Sequence, residues 1–342
     1  MIRTIIVDDS LSARKWIYQL LEQWSEFEVV AEAVNGKQAV EKTKELTPDL
    51  VIMDISMPVM NGVSATREIM TYCPTPIVVV SGIKSSEVGA SGVEVLRAGA
   101  LEFVEKPDET AQMSEWEYRF HHTLCIAARV KVIRQRRVIP QAKTVLEPRS
   151  TKVSLIAIGA STGGPQVIAR ILEALPPLEI PTIIALHIPA SATEHILKWY
   201  NSISSMPVVG AEQNMHLDTI RGTVCLAVPD QHLVLSNNCL KLINTAPVHH
   251  CKPSVDVLFT SIAQSKNVNT LAILLSGMGE DGAQGLLDIR NTGGRTIAQD
   301  EKTSTVFGMP KAAIEKGGAE QVLSDSEIAP RIIELVTSHG GH

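Results

Sequence analysis

The chain lacks the marks of several common classes. No apolar run reaches the roughly 18 residues that a membrane helix needs, so membrane insertion is not expected. There is no basic excess. The net charge is −6, which argues against nucleic acid as a partner. Cysteines are few: Cys73, Cys125, Cys225, Cys239 and Cys251 are scattered, odd in number and form no C-x-x-C pair. They read as reduced thiols of a cytosolic protein, not as a disulfide frame or a zinc site. Met1-Ile2-Arg3-Thr4 is followed almost at once by Asp8 and Asp9, so no signal peptide is expected and the location should be cytoplasmic. Internal repeats and low-complexity segments are also missing. What is present is 342 residues, 44% hydrophobic and 20% charged, enough for two domains with substantial cores.

The first third alternates short apolar strands with amphipathic stretches. Strands are expected at Thr4–Val7, Val29–Ala33, Leu50–Met53, Ile77–Val80 and Phe103–Val104, with helices such as Leu11–Trp24 and Lys37–Leu46 between them. Ser10 can cap the first helix, and Asn35-Gly36 and Thr47-Pro48 mark turns. This rhythm predicts a parallel, doubly wound sheet with helices on both faces. Asp8 and Asp9 follow the first strand, Asp54 the third, Ser81 the fourth and Lys106 the fifth. In an open α/β sheet these positions meet at the carboxyl edge. Three carboxylates there repel one another unless a cation joins them, and oxygen ligands point to Mg²⁺. Asp54 could then attack a phosphoryl group whose oxygens meet Lys106 and Ser81.

Residues 1 to about 120 resemble the receiver domain of two-component response regulators. The resemblance is carried by Val7-Asp8-Asp9-Ser10, Asp54-Ile55-Ser56-Met57-Pro58-Val59-Met60-Asn61-Gly62, Ser81, Phe103 and Lys106-Pro107. It implies that Asp54 is the phosphoacceptor and that Asp8, Asp9, Asp54 and the Ser56 carbonyl hold Mg²⁺. It further implies Phe103 as a switch residue, a histidine kinase as phosphodonor, and a cis bond at Lys106-Pro107.

The next segment changes character. Met113–Ile133 has helical spacing, and Arg129, Lys131, Arg134, Arg136, Arg137, Lys143 and Arg149 follow, broken by Pro140 and Pro148. It reads as a helix end and linker. His121-His122 reads as polar helix surface.

From Val153 the β/α alternation resumes, with strands at Val153–Ile158, Thr182–His187, Thr223–Ala227, His232–Leu235, Thr270–Leu275 and Arg295–Ala298. Helices fit at Gln166–Leu175 and Glu194–Trp199. Pro229-Asp230 suggests that Thr223–Leu235 forms a β-hairpin inserted in the pattern. The apolar run Val153–Ile158 runs into Gly159-Ala160-Ser161-Thr162-Gly163-Gly164, which fits a strand-to-helix turn that holds a serine hydroxyl proud of the sheet. A serine nucleophile needs a base, and the base an orienter. Of ten histidines, His187 ends its own strand and so shares the edge with Ser161. His216, His249 and His250 sit in polar loops, and His232 reads as structural. For the acid, Ser276-Gly277-Met278-Gly279-Glu280-Asp281-Gly282 offers Glu280 and Asp281, and spacing alone does not choose between them; Asp256, Asp230 and Asp300 compete. The order Ser, His, acid differs from the α/β-hydrolase order, so a different doubly wound scaffold is expected.

Residues 152 to about 338 resemble the catalytic domain of chemotaxis protein-glutamate methylesterases. The matching segments run from Gly159–Pro165 through His187-Ile188-Pro189, Pro229–Leu233, Pro253–Phe259, Gly277–Ala283 and Gly294–Glu301 to Gly308-Met309-Pro310. One departure is Ala192, which stands where the family commonly has an aromatic residue; Thr193 keeps its place. The resemblance implies Asp281 as the acid and the Thr162 and Met278 amides as the oxyanion hole, with no cofactor for the esterase reaction. It also implies methylated chemoreceptor helices as partners and deamidation of glutamine as a second reaction. The expectation is therefore an α/β protein of two doubly wound parallel-sheet domains. Residues 1–122 form a flavodoxin-like receiver, 123–151 a helix end and linker, and 152–342 a Rossmann-like methylesterase with an inserted β-hairpin. The alternatives are a receiver-controlled serine hydrolase acting on another ester or amide, and a non-catalytic regulator.

Overall fold

The computed structural model describes residues 1–82, 93–107, 113–130, 153–265 and 268–337. It divides into two compact units, residues 1–136 and 137–342.

The first unit runs β1 (Ile2–Val7), α1 (Leu11–Glu22), β2 (Phe27–Ala33), α2 (Gly36–Leu46), β3 (Leu50–Met53), α3 (Gly62–Tyr72), β4 (Ile77–Ser81), a helical stretch over 93–98, β5 (Glu102–Glu105) and α4 (Met113–Ala127). The five strands are parallel in the order β2-β1-β3-β4-β5, the flavodoxin-like arrangement. Side chains alternate across the sheet, and both faces are covered. Ile5, Val7, Val51, Met53, Val79 and Phe103 pack on one face with Val40 and Ile69 of α2 and α3. Ile6, Ile52, Val78 and Val80 pack on the other with Ile17 and Leu21 of α1 and Phe120 and Leu124 of α4. Burial on both faces is why these strands read as unbroken apolar runs. Ser10, Asn35 and Asn61 cap α1, α2 and α3 with their side chains, each taking an amide that the first turn leaves unpaired. Helix α4 runs to Ala127, into the stretch expected as helix end and linker. Lys131, Arg134, Arg136, Arg137, Lys143, Arg149 and both linker prolines lie outside the described residues. His121 is half-buried, with its ring edge-on to Trp24, whereas His122 is exposed.

The second unit is built on seven parallel strands in the order β15-β14-β13-β6-β7-β10-β8. The strands are β6 (Leu155–Ala160), β7 (Thr182–Leu186), β8 (Val208–Gly210), β10 (Val224–Leu226), β13 (Thr270–Leu274), β14 (Arg295–Gln299) and β15 (Gln321–Leu323). Helices α5 (Gly164–Ala174), α6 (Thr193–Ile203), α7 (Val255–Ala263), α8 (Ala283–Asn291), α9 (Met309–Glu315) and α10 (Asp325–Thr337) connect them. The chain leaves β6 on one side through β7 and returns on the other through β13. The strand order therefore reverses at β6, where open α/β sheets place their ligand crevice.

The inserted hairpin is not where the sequence suggested. β10 lies in the main sheet between β7 and β8. The hairpin joins β11 (His232–Ser236) to β12 (Cys239–Ile243) through Asn237-Asn238, and β9 (Met215–His216) completes a three-stranded antiparallel sheet. The cause is backbone conformation. Asn237 and Asn238 have φ of 52° and 59°, the left-handed pair that a two-residue hairpin turn requires. Val224–Leu226 is buried throughout, as a strand covered on both faces must be.

Candidate active site and phosphoacceptor site

In the second unit Ala160 and Leu186 are register partners on adjacent parallel strands. Ser161 and His187 are the next residue on each. Both therefore leave the same edge of the sheet from neighbouring strands, and His187 N donates to the Ala160 carbonyl at 3.1 Å. Ser161 N donates to the Ser276 carbonyl at 3.0 Å, and α5 begins three residues on. The left-handed residue of this turn is Gly163, with φ of 76°. A Cβ there would come within 2.3 Å of Thr305 Cβ, so the turn needs glycine. The loop after β13 presses equally close, since a Cβ on Gly277 would lie 2.8 Å from Ser161 Cβ. Buried Ser276 ties the two segments together. Its Oγ donates to the Thr162 carbonyl at 2.7 Å and accepts from Val306 N at 2.9 Å. Thr162 follows Ser161 on one segment, and Met278 follows Gly277 on the other.

Asp281 is brought in from the other side. Its Oδ2 lies 2.9 Å from His187 Nε2 and accepts from Val255 N at 2.8 Å. Its Oδ1 accepts from Ser254 Oγ at 2.7 Å and from Asp256 N at 3.0 Å. The carboxylate therefore sits on the N-terminus of α7, where first-turn amides lack helical partners and the dipole favours an anion. Burial disfavours its charge, but His187, Asp256 N and Ser254 outweigh burial and hold Asp281 below the ordinary carboxylate value. Burial likewise disfavours the His187 cation, yet the bonds to Asp281 and Cys251 push it up to about 9. An ionised carboxylate only accepts, so Nε2 carries the proton toward Asp281, and Nδ1 is the nitrogen left for proton exchange. Among the described residues the Ser161 hydroxyl makes no hydrogen bond to His187, and Nδ1 faces Cys251 Sγ at 3.6 Å. Catalytic hydrogen bonds often tighten only with substrate bound.

The competing acids do not reach the imidazole. Glu280 is turned to Lys316 at 3.1 Å and His249 at 3.9 Å. Asp256 accepts from Gly285 N and meets His249 Nε2 at 3.1 Å. Asp300 closes a turn on Thr303, and Asp230 is an exposed left-handed turn residue. His216 caps its own short helix and His250 is exposed. His232 is fully buried and braces Ser254, its Nδ1 accepting from Ser254 N at 3.1 Å. Sequence reasoning missed Ser254 as a site residue. Its signal was that of an N-cap ahead of an apolar run, and it does cap α7 through Val257 N. Ala192 is buried and Thr193 begins α6.

In the first unit Lys106 joins Asp8 and Asp54, and its backbone N–H donates to the Ser81 carbonyl at 2.9 Å. Lys106 Nζ lies 2.7 Å from Asp8 Oδ2 and 3.1 Å from Asp54 Oδ1. Ser10 N and Ser56 N donate to the second oxygens of Asp8 and Asp54 at 2.8 and 2.9 Å. Burial raises Asp54 above its ordinary value, more than Lys106 lowers it. Burial works against the Lys106 charge, but Asp8 and Asp54 win and raise it. Asp9 and Ser56 are exposed at the rim. Phe103 is buried in the core. The sequence overlooked buried Arg14, which donates to the Asp8 carbonyl at 2.7 Å and pairs with Glu32 at 3.0 Å. The cis bond implied at Lys106-Pro107 is absent; the cis bond among the described residues is Lys252-Pro253. With an ordinary trans bond Lys106 still reaches both carboxylates.

Lys106 bridges Asp8 and Asp54, so a divalent cation would bind on the outer side of the carboxylates, toward Asp9. The donors at that rim are all oxygen, as Mg²⁺ prefers. Ser81 Oγ is buried with no hydrogen-bond partner, so a phosphoryl oxygen would satisfy it.

Comparison with known proteins agrees with both halves. Residues 156–332 match the CheB methylesterase family, and residues 4–116 match the response regulator receiver domain. Two relatives are named protein-glutamate methylesterase/protein-glutamine glutaminase 2. The one from Anaeromyxobacter dehalogenans is 38% identical over 98% of this chain and 97% of its own length; the one from Carboxydothermus hydrogenoformans is 39% identical over 98% and 99%. The crystal structure of the Thermotoga maritima CheB methylesterase catalytic domain is 34% identical. It covers 54% of this chain and 100% of that one at a TM-score of 0.51. With both domain models matched in order and relatives alike from end to end, the chain belongs to the family of receiver-coupled CheB methylesterases.

Proposed function

We propose that the chain hydrolyses glutamate γ-methyl esters on the cytoplasmic helices of chemoreceptors, under control of phosphorylation at Asp54, and so resets receptor sensitivity in chemotaxis. The observation that carries this reading is the match to both family models together with His187 bonded to Asp281 at 2.9 Å, on the strand end next to the one that Ser161 follows. Ser161 Oγ attacks the ester carbonyl and passes its proton to His187 Nδ1. Asp281 holds Nε2–H and stabilises the imidazolium that forms. The Thr162 and Met278 amides take the charge that builds on the carbonyl oxygen. His187 returns the proton to departing methanol, and water then frees the acyl group by the same route in reverse. A glutamine side chain presents the same carbonyl, so deamidation uses the same groups.

In the receiver, Asp54 takes the phosphoryl group from a histidine kinase. Asp8, Asp9, Asp54 and the Ser56 carbonyl would hold Mg²⁺, which when bound neutralises the carboxylates as the phosphoryl group approaches. Lys106 and Ser81 hold its oxygens, and Phe103 passes the change to the neighbouring surface. The test is methanol release from a methylated receptor fragment by the full-length protein. Release should be faster with Mg²⁺ and a small phosphodonor, and that increment should vanish in Asp54→Asn. No release under either condition would overturn the reading.

A further inference from the structure

The proton-exchanging nitrogen of His187 has an unexpected neighbour. Cys251 Sγ lies 3.6 Å from Nδ1, and Sγ, a His187 ring nitrogen and an Asp281 oxygen all fall within 4.8 Å of one another. Zinc bonds of about 2.3 Å to sulfur and 2.05 Å to nitrogen at a tetrahedral angle span about 3.6 Å between the two ligands. Asp281 adds the second element of such a site. Its four acceptor positions are filled by His187, Val255, Ser254 and Asp256, so it is held behind the ring, not offered to an ion. That is the carboxylate–histidine–metal arrangement, in which the carboxylate fixes the tautomer and raises the basicity of the opposite nitrogen. The same count rules out the neighbouring His249, Asp256 and Asp281 group, which would need a lone pair that Asp281 has already used.

Cys251 is held in place by its backbone. Val248 and Cys251 pair across a two-residue turn, their N–H···O bonds 3.2 and 2.9 Å long. His249 and His250 occupy the turn with φ of 51° and 60°, a conformation that costs bulky residues energy. His249 is pinned to Asp256 at 3.1 Å. The thiol is thereby presented to Nδ1 by a braced strap.

We propose that Cys251 and His187 form an inhibitory site for Zn²⁺ or a similar thiophilic divalent cation, which shuts the hydrolase by occupying the nitrogen that must accept the Ser161 proton. This rests on the catalytic reading of Ser161, His187 and Asp281 given above. On binding, Cys251 releases its thiol proton to solvent and binds as thiolate, while His187 keeps its proton on Nε2 toward Asp281 and offers the Nδ1 lone pair to the metal. Inhibition is reversible by a chelator because no covalent bond within the protein changes.

The binding test uses full-length Ser161→Ala protein and Co²⁺ alone, so it does not depend on esterase activity. A thiolate-to-cobalt charge-transfer band should appear at one ion per chain and be displaced by Zn²⁺. It should be lost in Cys251→Ser, and lost also in His187→Gln as a second variant. Cys125, which lies 3.6 Å from His121 Nε2, is the internal control, and Cys125→Ser should keep the band. In the activity test, each variant is compared with its own metal-free rate. Zn²⁺ should inhibit the wild type and need at least about tenfold higher concentration in Cys251→Ser. A band unchanged in Cys251→Ser, or equal Zn²⁺ sensitivity in the two proteins, overturns the proposal. A Cys251-dependent band, together with no esterase activity in the metal-free wild-type protein, would instead leave the metal site standing and overturn the functional reading.

Discussion

Each unit carries a buried carboxylate at the carboxyl edge of a parallel sheet, and each pairs it with a cation. The resemblance ends there. Asp281 receives four hydrogen bonds, three of them from the start of α7, and is held below its ordinary value. Asp54 receives two, from Lys106 and Ser56 N, and burial leaves it raised. A carboxylate with every acceptor position filled is suited to orient a base and poorly suited to attack. One with acceptor capacity to spare, beside an unpartnered Ser81 hydroxyl, is suited to receive a phosphoryl group. The number of donors around the carboxylate, rather than its depth or its place on the sheet, separates the two roles proposed for them.

The comparison can be broken most severely at Ser161. Ser161→Ala should lower kcat by about 10⁴ to 10⁶ with an unchanged urea midpoint, because the hydroxyl makes no bond that the fold needs. A residual rate within tenfold of wild type would mean another group attacks.

Asp281→Asn should cost about 10⁴ in kcat by leaving His187 in the wrong tautomer. It should also move the pH profile. A base works only when neutral, so kcat/KM of the wild type should climb with pH toward the His187 value of about 9. Removing the carboxylate removes the leading cause of that elevation, and the rising limb should shift to lower pH. A limb that stays put would mean that Asp281 does not govern His187.

At the other carboxylate, Asp54→Asn should abolish incorporation of phosphate from a small phosphodonor with Mg²⁺ while leaving basal esterase activity measurable. Label persisting at another aspartate would remove the contrast between the two sites.

Smaller effects sharpen it. Ser254→Ala deletes both an Asp281 donor and the cap of α7, and should cost about 1 kcal/mol of stability, read from the urea midpoint. Glu280→Gln should change kcat least, since Glu280 faces Lys316 and not His187.

How far the sequence showed these sites follows from where their partners lie in the chain. The receiver residues were legible because each ends its own strand, and parallel order brings strand ends together. Ser161 and His187 were legible for the same reason. Asp281 was not separable from Glu280 by spacing. Its donors come from residues 254–256, and only the folded loop turns one carboxylate inward. The hairpin was misplaced because Pro229-Asp230 gave a stronger turn signal than Asn237-Asn238, although the latter pair adopts the left-handed backbone. Cys251 read as an unremarkable thiol because it stands 64 residues from His187 in sequence and meets it only in space.

Ser161 Oγ, served by His187 and Asp281, is proposed as the attacking atom. Rapid acid quench of the full-length protein reacting with a methyl-esterified receptor peptide, followed by digestion and mass spectrometry, traps the acyl group where it forms. The account predicts the peptide's acyl mass on the fragment containing Ser161 and its absence from the Ser161→Ala protein. Acyl mass on the fragment containing Cys251, the thiol at the same imidazole, would contradict it.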